Sequence, residues 1–341
     1  MRSFLDSLIS THTATAAVAL VGTADEILFE GASGEATPET RLDYASLTKP
    51  FTFTLALVLD QDGTLPLATR IGEIFPEANA RLAGRPLSDL LRHRSGMASW
   101  APLYHLCRSR EEILPLLLDA RRMRPNRRAV YGDLDILLYG LAVEKITGQP
   151  YAHLIQSRVL DPLGLSSVEP APGGQPDIAR SFMDTGKEVE LARKQGLEIP
   201  LQGPPPRGLP QDGNARFLFG LGAGLSAHAG LFGNVRDLWR LGAEWLAPQT
   251  LLKPEATAAA LTGSPFYLGW WRRSLTNSAG RALPPGSFGH TGFAGGSLWI
   301  DPENKRVLVL LTHRTEPFSN MNWWRRRFHA VAYSLIYDGG T

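Results

Sequence analysis

The sequence of 341 residues contains a single cysteine and no long apolar segment. One cysteine, Cys107, excludes an intramolecular disulfide and any zinc site built from several cysteines. The eight histidines show no HExxH or similar ligand spacing, so we predict neither a metal site nor another cofactor. No run of 18 or more apolar residues is present, so the sequence predicts no transmembrane helix and no membrane partner.

An excess of one charge sign is also absent. The chain has 35 basic and 33 acidic residues, a net charge of +2, and this balance gives no general attraction for nucleic acid. Lysine is scarce among the basic residues, so a lysine in a chemically suggestive position is less easily explained as a general surface residue.

Asp6 interrupts the first apolar cluster of the N-terminal segment. We therefore expect a cytoplasmic protein, with a disguised export signal as the alternative.

Predicted strands lie near both ends of the sequence, and predicted helices fill its middle. The segments "TAAVALVG" and "EILFEGASG" form a hairpin pattern, and "GSLWIDPENKRVLVLLTH" and "FYLGWWRRSL" indicate further strands. We predict an α+β fold in which one antiparallel sheet, built from both chain ends, is flanked by helices. The expected units are a sheet domain of residues 1–68 and 215–341 and an inserted, mostly helical domain of residues 69–214, with the active site between them.

Ser46 and Lys49 stand where "LDYASLTKPFTFTLALVLDQDG" changes from small polar residues to apolar ones. Residues three apart share a helix face, so the serine hydroxyl and the lysine amine can touch. The apolar helix that follows predicts a buried lysine, whose pKa burial should lower. A neutral amine could accept the serine proton. A helix cap and a surface lysine are the alternative reading of the same four residues.

Several segments in order carry a resemblance to a known family: "YASLTKPFT", "LLRHRSGMASW", "YGDLDILLYGLAVEKITGQPY", "VLDPLGL" and "GHTGFAGGSLWIDP". Together they resemble the serine beta-lactamase and penicillin-binding-protein superfamily over essentially the whole chain. The similarity is greatest to the class C beta-lactamase branch, which also holds esterases, D-aminopeptidases and D-alanyl-D-alanine carboxypeptidases. The resemblance implies the beta-lactamase-like form of the predicted fold and makes Ser46 the expected nucleophile.

The resemblance also assigns roles to residues of the later motifs. It implies that Tyr131 works with Lys49 in proton transfer. Asp133 stands where the family usually has asparagine, and we leave open whether it caps the following helix or contacts the substrate or Lys49.

The third motif of the family corresponds to His290, Thr291 and Gly292, which the resemblance places beside the substrate. The backbone N–H groups of Ser46 and Phe293 would form the oxyanion hole.

These motifs predict a serine hydrolase that cleaves a small ester, an amide or a short peptide through an acyl-enzyme on Ser46. One alternative is a beta-lactamase or D,D-carboxypeptidase acting on cell-wall-type substrates. A second is a non-catalytic binding protein that retains the fold. The basic run at residues 121–128 is either a solvated face or an attraction for an anionic substrate. The sequence does not indicate the oligomeric state.

Overall fold

The computed structural model describes residues 1–124 and 128–338, with side chains through residue 334. The helices of this part of the chain are α1 (Arg2–Ser10), α2 (Lys49–Gln61), α3 (Ile71–Ile74), α4 (Ala80–Ala83), α5 (Leu87–Leu91), α6 (Leu103–Leu106), α7 (Ile113–Leu118), α8 (Asp133–Thr147), α9 (Tyr151–Ile155), α10 (Asp161–Leu163), α11 (Gly186–Arg193), α12 (Gly213–Gly220), α13 (Val235–Leu246), α14 (Pro254–Ala260) and α15 (Met321–Asp338). Shorter helical turns are the 3₁₀ segments Ala45–Thr48 and Ala120–Arg122 and the π segment Gln156–Leu160.

The strands are β1 (Ala14–Gly22), β2 (Ile27–Gly34), β3 (Leu42–Asp43), β4 (Glu169–Pro170), β5 (Leu231–Gly233), β6 (Trp271–Arg272), β7 (Phe288–Thr291), β8 (Gly295–Asp301) and β9 (Arg306–Arg314). Six of them form an antiparallel sheet in the order β2-β1-β9-β8-β7-β6. Since β1 and β2 come from the beginning of the chain and β6 to β9 from its end, the predicted sheet of both chain ends is confirmed. The domain boundaries at residues 68 and 215 stay a prediction.

Strand β1 is buried along most of its length because helices cover both faces of the sheet. Successive side chains of a strand point to opposite faces, and Ala17 and Ala19 accordingly pack in a cluster with residues of α1 and α15. Val18 and Leu20 belong to the larger core on the other face, which includes α2, α8 and α13. The α+β class is therefore confirmed, with the main core between the sheet and the helices of the middle of the chain.

A second, three-stranded sheet lies beside the large one and leads into the Ser46 segment. Its order is β3-β5-β4, with Leu42 opposite Gly233. The 3₁₀ turn Ala45–Thr48 follows directly and continues into α2. Every residue of α2 from Lys49 to Leu59 is buried, which explains why the sequence there lacks a polar face.

One strand prediction is largely wrong. The segment 266–275 contributes only Trp271 and Arg272 to the sheet. Gly269 has a left-handed φ of 83°, and the N–H of Tyr267 donates to the carbonyl of Trp270 at 2.9 Å. This local turn takes the preceding residues out of strand geometry.

Among the described residues, no helix is long and apolar enough to cross a membrane.

Candidate active site

A cavity of about 420 Å³ opens beside the 3₁₀ turn that carries Ser46. From residue 41 to residue 50, Ser46 is the one residue that is not buried. Ala45, just before it, has a φ of 48°, an uncommon left-handed conformation for a residue with a side chain. Its N–H donates to Asp43 Oδ1 at 2.7 Å, which stabilises this turn. The local backbone therefore presents the Ser46 hydroxyl to the cavity.

Lys49 lies one turn further along and is completely buried. Its Nζ atom donates to Ser46 Oγ at 2.8 Å and to the carbonyl of His228 at 3.1 Å. The same Nζ lies 2.7 Å from Asp133 Oδ1. The predicted contact between Ser46 and Lys49 is thus present, and a carboxylate adjoins it.

The pKa of Lys49 contradicts the expectation from the sequence. Burial alone would lower it, but the charge of Asp133 and the neighbouring Tyr131 outweigh burial and raise it above its usual value. The prediction of a neutral resting amine is therefore wrong. The sequence pattern showed the burial of Lys49 but gave no indication that a carboxylate would be its neighbour.

Asp133 is the first residue of α8, and the N-cap position before it is occupied by Gly132. Of the roles left open for Asp133, the structure therefore favours the contact with Lys49. The N–H of Asp133 donates to the carbonyl of Ser99 at 2.7 Å, which fixes the start of the helix against the preceding loop. Gly132 permits this close approach, because a Cβ there would lie 2.6 Å from Ser99 Cα.

Tyr131 reaches the same cavity from the segment before α8. Its ring packs against Trp271, with centroids 5.5 Å apart, and lies with its centroid 5.1 Å from Lys49 Nζ. Burial raises the pKa of Tyr131, and the charge of Lys49 opposes this rise without cancelling it. At neutral pH the resting site therefore holds a tyrosine hydroxyl beside a lysine ammonium.

Thr291, Gly292 and Phe293 also line the cavity. A Cβ on Gly292 would lie 2.6 Å from the carbonyl oxygen of Tyr44, so only glycine lets this turn approach the Ser46 segment so closely. Ser46 and Phe293 line the same cavity. Their backbone N–H groups stay the predicted donors of an oxyanion hole.

The structure does not bring the His290 side chain to the cavity wall. His290 is fully buried, with its ring 5.6 Å from that of Tyr131, because neighbouring residues of a strand point to opposite faces. Its Nδ1 lies 2.9 Å from the Thr291 carbonyl, to which it can donate. Burial, and then the charge of Lys49, lowers its pKa well below the usual value, so His290 is neutral. A direct hydrogen bond from His290 to substrate stays a prediction.

Sequence reasoning missed several residues that line the cavity. Asp212 and Glu188 add carboxylates to the lining, and Arg314 and Arg325 add guanidinium groups. Burial raises the pKa of Glu188 to about 7, with the charge of Asp212 acting in the same direction. No motif marks these residues, because they come from a proline-rich loop, a short helix, the end of β9 and the apolar-striped α15.

Three potential metal ligands lie together in this region. The ligand atoms of Asp133, Asp212 and His228 are all within 4.8 Å of one another. His228 Nε2 lies 3.0 Å from Asp212 Oδ1, and the Lys49 ammonium lies 2.7 Å from Asp133 Oδ1. Each of the three groups therefore already has a partner in the described part of the chain.

The basic run at residues 121–128 contributes little that can be assigned. Residues 125–127 lie outside the described part of the chain. Arg124 donates to the carbonyl of Met97, and Arg121 forms an exposed ion pair with Asp119.

Comparison with known proteins gives a family. The family model described as Beta-lactamase matches residues 2–332. The chain belongs to the Beta-lactamase family. A relative from Escherichia coli (strain K12), named a D-alanyl-D-alanine carboxypeptidase, is 28% identical over 344 residues, covering 89% of this chain and 77% of the relative.

Solved structures show the same fold. EstCE1, described as a hydrolase with promiscuous acyltransferase activity, superposes with a TM-score of 0.78 at 19% identity, covering 97% of each chain. The class C beta lactamase from Rhodobacter sphaeroides gives 0.71 at 19% identity, covering 98% of this chain and 99% of that one. The predicted resemblance and the beta-lactamase-like fold are confirmed. Since the family generally comprises hydrolytic serine enzymes, membership supports a serine hydrolase in general terms.

Proposed function

We propose that this member of the Beta-lactamase family hydrolyses an ester or amide through an acyl-enzyme on Ser46. The observation that carries this proposal is the contact of 2.8 Å between Lys49 Nζ and Ser46 Oγ at the wall of a cavity. A serine hydroxyl is a weak nucleophile unless an adjacent group takes its proton. Lys49 and Tyr131 are the groups placed to do so.

In the proposed reaction, Ser46 Oγ attacks the carbonyl carbon of the substrate while its proton passes to the Lys49–Tyr131 pair. The carbonyl π electrons move to the oxygen, where the N–H groups of Ser46 and Phe293 stabilise the negative charge. The tetrahedral intermediate collapses, and the leaving oxygen or nitrogen takes the proton back from the pair. Water then attacks the acyl-enzyme by the same sequence of proton transfers and restores Ser46.

The resting protonation state determines which form of the enzyme is active. With Lys49 as an ammonium and Tyr131 as a phenol, the pair has no vacant position for the serine proton. The active form is therefore the one that has lost a proton from this pair. We expect kcat/KM to rise with pH on the alkaline side of neutrality.

A cavity of about 420 Å³ suits a small ester, an amide or a short peptide. Hydrolysis of cell-wall-type peptides or beta-lactams is the second candidate, favoured by the carboxypeptidase name of the relative from Escherichia coli. The neutral His290 weakens the beta-lactam candidate, because a neutral imidazole lacks the charge-assisted part of carboxylate binding. A non-catalytic binding protein is disfavoured because Ser46, Lys49 and Tyr131 are all present. We propose no cofactor.

Labelling with a fluorophosphonate probe tests the nucleophile. The probe should add its mass to the peptide that carries Ser46, and Ser46→Ala should abolish the labelling. Ser319→Ala is the matched control, because Ser319 lines the same cavity but its hydroxyl donates to the Glu316 carbonyl at 2.9 Å. Labelling that survives in Ser46→Ala, or that is lost in Ser319→Ala, would contradict the acyl-enzyme on Ser46.

A further inference from the structure

The turn between β7 and β8 holds the second proposed oxyanion donor. It runs through residues 292–295, and the N–H of Gly295 donates to the carbonyl of Gly292 at 3.0 Å. Phe293 occupies the second position of this turn and lines the cavity. Within residues 1–124 and 128–338, its N–H has no acceptor, which leaves it available for a substrate oxygen.

Arg325 of α15 binds this turn from the side of the terminal helix. Its Nη2 donates to the Gly292 carbonyl at 2.8 Å and its Nε to the Gly295 carbonyl at 3.1 Å. Nη1 donates to Asn322 Oδ1 at 2.9 Å. The residue is only 7% exposed, and no carboxylate of the described part of the chain pairs with it. A rigid guanidinium with three bonds of this kind fixes the turn in one orientation.

The carbonyl of Gly292 and the N–H of Phe293 belong to the same planar peptide unit. A charged donor on the carbonyl oxygen therefore sets the direction of the N–H. It also draws electron density from the amide, and hydrogen bonds linked in this way strengthen one another. Arg314 supports the same turn from another side, because its guanidinium carbon lies 4.2 Å from the centroid of the Phe293 ring.

We infer that Arg325 is a positioning residue for catalysis, which orients and polarises the Gly292–Phe293 peptide so that the Phe293 N–H stabilises the oxyanion. This inference rests on the proposed function, since it requires attack by Ser46 on a carbonyl group. Arg325 makes its contribution through the peptide and does not touch the reacting atoms.

Arg325 also lines the cavity, so direct binding of a substrate carboxylate is the competing role. The two roles predict different kinetics. A group that improves the oxyanion donor acts only in the transition state, so its loss lowers kcat and leaves KM unchanged for every substrate. An arginine that binds a substrate carboxylate already acts in the enzyme–substrate complex, so its loss raises KM for anionic substrates alone.

The experiment compares Arg325→Gln with wild type on two p-nitrophenyl esters, one neutral and one carrying a carboxylate on its acyl group. Complete loss of an oxyanion donor lowers kcat by about 10² to 10³. Because the N–H itself remains in the variant, we expect kcat to fall by about 10- to 100-fold on both esters, with KM unchanged. Arg326→Gln is the matched control: the neighbouring arginine donates to the carbonyl of Asn277 at 2.8 Å, at a loop that does not line the cavity.

An unchanged kcat in Arg325→Gln would overturn the inference, and so would a rise in KM confined to the anionic ester. If Arg325→Gln does not fold, Arg325→Lys repeats the test, because a lysine keeps the charge but not the planar fork. A lower kcat at unchanged KM on both esters would again support the inference, and wild-type kinetics would overturn it. Fluorophosphonate labelling of Ser46 in the wild-type enzyme separates this outcome from failure of the proposed function.

Discussion

Replacing Asp133 by asparagine restores the residue that this motif usually carries and removes one charge beside Lys49. The carboxylate oxygen lies 2.7 Å from the lysine Nζ, close enough to shift a pKa by about 1 to 3 units. Asp133 also raises the pKa of Tyr131. In Asp133→Asn, the pKa values of both Lys49 and Tyr131 should therefore fall, and the pair should lose its proton at lower pH.

The expected result is a displacement of the pH profile of kcat/KM. If the active enzyme has lost one proton from the Lys49–Tyr131 pair, the rising limb should move toward lower pH by about 1 to 3 pH units in Asp133→Asn. Asp25→Asn is the control, since it removes an equal charge from an exposed turn. The measurement is ester hydrolysis from pH 5 to pH 10 for the three proteins. A rising limb that stays in place in Asp133→Asn would refute the proposed coupling between Asp133 and the proton acceptor.

The same substitution should lower stability. Lys49 is completely buried, and its pKa in the folded protein lies above its usual value because of Asp133. A raised lysine pKa stabilises the fold below the unfolded value of about 10.4, and this contribution disappears as the pH rises through the folded value. Since asparagine still offers a carbonyl oxygen to Lys49, we expect a loss of about 1 to 3 kcal/mol at pH 7. Urea unfolding at pH 7 measures it, and an unchanged midpoint would contradict the ion-pair reasoning.

Three further outcomes follow from the site. Lys49→Ala and Tyr131→Phe should each lower turnover by about 10² or more, and the double variant should lose much less than the product, whereas multiplicative losses would mean independent action. A neutral p-nitrophenyl ester should be hydrolysed faster than a chromogenic cephalosporin at pH 8, because His290 is neutral; the opposite order would favour a beta-lactamase. The pKa of Glu188 is raised to about 7 from an ordinary 4.5, so the fold should become less stable as pH rises between these values. Glu188→Gln should therefore flatten the fall in melting temperature over this range. An unchanged fall in the variant would mean that the titration of Glu188 is not coupled to folding.

The motifs of the sequence predicted the groups that meet at the cavity better than they predicted the electrostatics there. Ser46 and Lys49 are three residues apart, so local helix geometry alone brings them into contact. Tyr131 comes from a distant segment and was placed only by the family resemblance. The pKa of Lys49 was predicted in the wrong direction, because burial could be inferred from the apolar helix but the position of Asp133 could not.

The missed residues share a physical reason. Arg325 lies in a helix whose sequence shows only an apolar stripe, and its role depends on carbonyls of Gly292 and Gly295 that come from another element. Backbone acceptors leave no side-chain pattern that a sequence motif could reveal. The strand at residues 266–275 was overestimated for a related reason, because its apolar residues fit strand periodicity while a local turn at Gly269 determines the backbone.

Two groups of residues at the cavity, one around Lys49 and one around Phe293, have different roles in the proposed reaction. Around Lys49, the charge of Asp133 raises the pKa of the ammonium and so affects the pH at which a proton can leave. Around Phe293, Arg314 and Arg325 present positive charge toward the turn that would hold the oxyanion. Negative charge near the proton acceptor makes it a stronger base once it is deprotonated, and positive charge near the carbonyl oxygen stabilises the intermediate. A substitution in either group should therefore be visible in a different measurement. The pH profile should change for the residues around Lys49, and kcat should fall at constant KM for the arginines around Phe293.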